Sequence, residues 1–76
     1  MINRDLFSTR IKQLRNERNL TMTDISNTLN IKMQSVQKWE NKLNIPSADN
    51  IYALAELFGV SIDYLCGRTE RREMNK

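Results

Sequence analysis

Residues 20–40 read LTMTDISNTLNIKMQSVQKWE, and this stretch decides the fold. Ile25 and Leu29 step by four, and Val36 and Trp39 step by three, so each half carries one apolar helical face. Thr21 can cap the first half. Its third helical residue is Asp24, an acidic variant of the capping box, and Leu20 with Ile25 supplies a hydrophobic staple. Asn30 falls between the halves, and Asn is the commonest non-glycine visitor to the left-handed region. The pattern predicts two short helices, about 22–29 and 33–41, joined by a tight turn.

The second of these helices begins poorly. Its cap position is Lys32, and an ammonium cannot accept a backbone N–H bond. A cation at a helix start also opposes the helix dipole. Local conflicts of this kind are commoner at functional sites than elsewhere. A tolerated surface residue is the other reading.

The flanks follow the same helical logic. Phe7, Ile11 and Leu14 step by four and three, and Ile51, Leu54, Ala55 and Phe58 repeat the pattern. Asn3 can cap a first helix over about 4–18, stapled by Ile2 and Phe7. Ser47 follows Pro46 and can cap a fourth over 48–58. Ser61 can cap a short fifth over 62–66, flanked by Val60 and Leu65. Gly59 and Gly67 stand where these last two should stop. No strict alternation marks a strand. The expected fold class is all-α with five helices, as one domain over 1–67 and a charged tail over 68–76. That tail, RTERREMNK, is expected to be frayed and solvated.

Composition narrows the function classes. One cysteine and no histidine cannot build a closed structural zinc site, and a lone thiol suits a reducing cytosol. The start MINRDLF has charges where a signal peptide needs an apolar run, and no stretch approaches a membrane span. Without histidine or a partner base for Ser or Cys, no catalysis, metal site or cofactor is expected. The net charge of +3 is unevenly spread: residues 1–42 hold eight Lys/Arg and four Asp/Glu. Residues 43–67 hold three acids and no Lys or Arg, and the tail is basic again. A polyanion partner and a merely solvated basic surface both fit that asymmetry.

A helix that reads DNA needs a scaffold helix, a sharp turn, and one polar face opposite an apolar one. Ile25, Leu29, Ile31, Val36 and Trp39 supply the apolar side, and Trp39 reads as core rather than as a base stacker. The opposite face presents Met33, Gln34, Gln37, Lys38 and Asn41, with no acid among them. Amides pair bidentately with adenine, lysine donates to guanine, and an apolar side chain meets a thymine methyl.

On these residues the chain resembles the helix-turn-helix family of phage repressors and Cro proteins, the xenobiotic-response-element-like regulators. The matching features are RIKQLRNERNLT at 10–21, the helix pair at 22–41 with WEN at 39–41, PS at 46–47, and LAELFGVSIDYL at 54–65. The resemblance covers about residues 4–67, and its specificity lies in the order and spacing of these features. It implies a five-helix, lambda-repressor-like DNA-binding domain. It also implies base contacts from Met33, Gln34 and Lys38, with Gln37 as a further candidate, and phosphate contacts from Lys32, Asn41 and Lys42. An Arg late in the first helix pairs in this family with the Glu ending the third. Here those are Arg15 and Glu40, a structural ion pair. The usual first Gln of the second helix is Met22, so Thr21 or Thr23 stands in for that phosphate contact. The usual small Ala is Ser26, the usual turn Gly is Asn30, and the usual Gly after the third helix is Lys42.

The leading expectation is a sequence-specific, DNA-binding transcriptional regulator acting as a repressor. It would bind double-stranded DNA as a homodimer in the cytoplasm of a bacterium, at the nucleoid, and be bacterial or phage-encoded. The alternative is a protein-interaction module such as an antitoxin or antirepressor. Residues 43–67 would then meet a protein partner, with Leu43, Ile45, Tyr52 and Tyr64 as exposed contacts; otherwise Tyr52 and Tyr64 read as packing or dimer-surface residues.

Overall fold

A computed structural model describes residues 2–73; the tail positions 74–76 and residue 1 lie outside the described residues. The five helices are α1 Arg4–Glu17, α2 Met22–Leu29, α3 Met33–Glu40, α4 Ala48–Phe58 and α5 Ile62–Cys66. They match the expected ranges, except that α1 and α3 each stop one residue early. Among the described residues there are no strands, and no helix is long and apolar enough to cross a membrane.

The helix starts follow the side chains that cap them. Asn3, Thr21, Ser47 and Ser61 each accept an N–H three residues on, and the Thr21–Asp24 capping box closes in both directions at 3.0 and 2.9 Å. Lys32 makes no capping bond, so no cap side chain satisfies the first N–H groups of α3.

One rule governs all five helix ends. In each, a residue turns left-handed and the next N–H reaches back five residues to a carbonyl. The bonds are Leu20 to Arg15, Ile31 to Ser26, Leu43 to Lys38, Val60 to Ala55 and Arg68 to Asp63. Gly59 and Gly67 turn the last two, but Asn19, Asn30 and Lys42 turn the first three at φ 56, 58 and 64. Asn tolerates this region; a lysine bears the full steric penalty, about 1–2 kcal/mol.

The core is one cluster to which every helix contributes: Phe7, Ile11 and Leu14 from α1, Ile25 from α2, and Val36 and Trp39 from α3. Leu54, Ala55 and Phe58 come from α4, and Tyr64 and Leu65 from α5. Trp39 meets Phe7 edge to face at 6.5 Å, so it is packing. Leu29 and Ile31 are half-buried against this cluster. Cys66 is half-buried, and that burial raises its thiol pKa.

In the C-terminal region Tyr64 takes the packing reading rather than the exposed one, and the tail departs from expectation. Tyr64 is buried: the Arg10 and Arg72 guanidinium groups lie 4.1 and 5.5 Å from its ring centroid. Residues 68–73 are not frayed but form a strap. The Ser61 N–H donates to the Arg72 carbonyl at 2.7 Å, buried Arg10 donates to the Thr69 carbonyl and Glu70, and Arg72 grips Glu17 through two 2.9 Å bonds. That grip holds the Glu17 carboxyl below its ordinary pKa.

Candidate nucleic-acid interface

The side chains that fix α3 are sequence-distant and buried. Arg15 forks onto Glu40, with Nε–Oε2 at 2.7 Å and Nη2–Oε1 at 3.0 Å. Its remaining nitrogen donates to the Leu20 carbonyl at 3.1 Å. One guanidinium thus ties α1, the α1–α2 turn and the end of α3. The Glu40 side chain is 0 % exposed and that of Arg15 only 15 %, so this bidentate pair is shielded from water. The hydrogen bond to Glu40 raises the pKa of Arg15, which stays charged throughout. Ser8 adds a second anchor, its hydroxyl donating to the Glu40 carbonyl at 2.7 Å. The sequence reading missed Ser8; a serine inside the apolar stripe of Phe7 and Ile11 was the available signal.

With Val36, Trp39 and Glu40 facing inward, α3 turns the rest of its surface to solvent. Met33, Gln34, Gln37 and Lys38 are all exposed, as are Lys32 before the helix and Asn41 and Lys42 after it. These residues share one helix and its two ends, so they form a continuous outer face. Asn41 ends the helix, its N–H bonded to the Gln37 carbonyl, which leaves its amide side chain outside. The left-handed backbone of Lys42 turns the chain off α3, and its ammonium lies 3.7 Å from exposed Asp5 at the start of α1. Thr21 and Thr23 are exposed at the start of α2. The Thr21 oxygen already accepts the Asp24 N–H, leaving its O–H to donate outward.

The structure also reapportions the positive charge. Of the eight bases in residues 1–42, Arg10, Arg15 and Arg18 donate to internal partners. Arg18 holds the end of α4 through the Phe58 carbonyl at 2.7 Å. Among the described residues Lys32 and Lys38 enter no ion pair. The cationic surface is therefore narrower than the sequence total, and α3 shares it with exposed Arg4 and Lys12 of α1, which also enter no ion pair among the described residues.

A profile described as helix-turn-helix matches residues 11–65, most of the chain. An uncharacterised HTH-type transcriptional regulator of Bacillus subtilis, YobD, is 32% identical over 65 residues, 86% of this chain and 58% of its own length. The HTH-type transcriptional regulator ImmR of the same organism is 30% identical over 67 residues, 88% of this chain and 53% of its own. The cryptic phage CTXphi transcriptional repressor RstR of Vibrio cholerae is 32% identical over 60 residues, 75% of this chain and 54% of its own. The chain thus spans just over half the length of these three relatives.

Proposed function

The chain belongs to the helix-turn-helix family, and on that footing we propose that it is a sequence-specific DNA-binding transcriptional regulator, a repressor. The observation that carries this reading is the division of α3 into two faces. One is locked by the Arg15–Glu40 fork, and the other is acid-free, exposed and rich in amides and lysine. In this reading α3 enters the major groove and α2 lies across it against the backbone.

Met33, Gln34, Gln37 and Lys38 meet base edges. Gln34 and Gln37 suit adenine, Lys38 suits guanine, and Met33 suits a thymine methyl. Thr21, Thr23, Lys32, Asn41 and Lys42 meet phosphates and set the register. Lys32 and Lys42 would then explain themselves. Each is locally unfavourable at its backbone position, and each places a cation at one end of the reading helix.

The molecule measures 29 × 22 × 21 Å, so one copy spans less than the roughly 34 Å helical turn that separates two half-sites. We read it as a homodimer on a palindromic site, acting in the cytoplasm at the nucleoid. The relatives named as regulators and as a phage repressor support this reading. Residues 1–67 carry the DNA-binding unit, with the strap packed on it.

The test is selection of bound sequences from random duplex DNA, followed by gel shifts on the winner at two salt concentrations. The reading requires a palindromic consensus and an affinity that falls steeply with salt. A selection that converges on no sequence refutes it.

A further inference from the structure

The acidic half of the molecule carries an exposed apolar surface that DNA reading does not use. Between α4 and α5 lies a groove of about 380 Å³. Ala55 and Val60 form part of its floor, while Tyr52 and Ile62 line it at 59 and 42 % exposure. Glu56, Ser61 and Asp63 complete the lining, and Tyr52 donates its phenol O–H to Glu56 at 3.3 Å, standing the ring beside the carboxylate. Residues 43–67 contain no lysine or arginine, so neither carboxylate has a cation on its own helices. The nearest base along the chain from this groove is Arg68; Arg71, which lines an adjoining pocket with Asp63, is already paired with Glu73 at 3.4 Å.

Charge selects the occupant. A two-fold interface built on this groove would bring Glu56 and Asp63 of one copy toward the same acids of the other, and like charges across an interface are costly. Nucleic acid is repelled by the same carboxylates. We propose that the α4–α5 groove docks a cationic amphipathic segment of a partner protein. An apolar side chain of that segment would seat on Ala55 and Val60 beside Tyr52 and Ile62, and its Lys or Arg side chains would face Glu56 and Asp63. Exposed Tyr and apolar neighbours beside charged groups are the make-up of small interface anchors. The inference stands apart from the DNA reading: the groove shares no residue with α3, so both ligands can be held at once.

The test is a random peptide library displayed on phage and selected against the full chain. Its most enriched peptide is then synthesised and titrated into isotope-labelled protein. The expected peptide pairs apolar residues with Lys or Arg and shifts amide signals within residues 51–63. Its affinity falls about ten-fold or more in Glu56→Lys and in Tyr52→Ala, both exposed changes that leave the core intact. Operator binding stays unchanged in Tyr52→Ala. The proposal is overturned if selection yields no binder, yields peptides without cations, or yields peptides indifferent to both variants. It is equally overturned if sedimentation shows Tyr52→Ala dissociating a dimer, because a second copy would then fill the groove.

Discussion

Helices α2 and α3 are eight residues each, adjacent, and turned at their ends by a left-handed non-glycine residue, yet they are stabilised in opposite ways. Local chemistry favours α2 at both ends. Thr21 and Asp24 close a full capping box, and Asn30 takes the left-handed turn at little cost. Neither end of α3 is favoured: Lys32 cannot cap it and Lys42 occupies a backbone region that resists lysine. Long-range contacts hold α3 instead, through Arg15, Ser8 and the burial of Val36 and Trp39. The helix whose surface is free for a ligand is thus the one whose local stability has been given up. Its position is enforced from the rear.

The largest effect that should separate the two helices is removal of the rear anchor. Glu40→Ala leaves the Arg15 guanidinium without its partner in a mostly buried site, at a cost of about 3–5 kcal/mol. Urea unfolding measures the loss. Hydrogen exchange should show α3 amides deprotected more than those of α2, and equal loss in both helices would break the contrast.

Next comes the outer face. Gln34→Ala should leave the unfolding midpoint within about 0.5 kcal/mol of the parent, since the side chain is exposed. It should weaken discrimination at one base pair of the selected operator by about 1–3 kcal/mol. Competition binding with single-base operator variants reads this. A change in stability without a change in specificity would place Gln34 in the scaffold.

The cap of α2 comes third. Thr21→Ala should cost about 1 kcal/mol by thermal unfolding. The same change also tests Thr21 as a phosphate contact, because affinity would fall with unaltered sequence preference.

The smallest effect lies in the strap. Arg72 holds the Glu17 carboxyl below its ordinary value of 4.5, so the folded state binds that proton less readily than the unfolded chain. The contribution is complete above about pH 4.5 and is lost as pH falls through the depressed value. The protection factor of the Ser61 amide, which donates to the Arg72 carbonyl of the strap, should fall on acidification through that window while α2 and α3 stay protected. Glu17→Gln should show the lowered protection already at neutral pH.

What the sequence disclosed follows the range of the interactions involved. Helix starts were legible because Asn3, Thr21, Ser47 and Ser61 act on N–H groups three residues away. The stops at Gly59 and Gly67 and the turn at Asn30 were legible because they are properties of single residues. Residues 68–73 were misread because their ties are polar and distant: Arg10 to Glu70, and Glu17 to Arg72. A run of alternating charge offers no period that distinguishes a packed strap from a solvated tail. The choice between packing and exposure at Tyr64 was not legible for a related reason, since it is covered by two arginines from outside its own segment. The outer face of α3 was legible as composition, in Met33, Gln34, Gln37 and Lys38. The inward anchor at Ser8 was not, because a hydroxyl on an apolar stripe does not reveal which carbonyl it will meet.

The claim that α3 gives up local stability to carry cations at its two ends is tested most directly by repairing both ends at once. Lys32→Ser supplies a cap and Lys42→Gly relieves the left-handed backbone, and the two sites lie far enough apart to add. The double variant should be more stable by about 2 kcal/mol in urea unfolding. Its affinity for the selected operator should fall, with a log–log salt dependence shallower by about two counterions. A variant that is more stable and binds DNA as tightly, with the same salt dependence, would contradict the account.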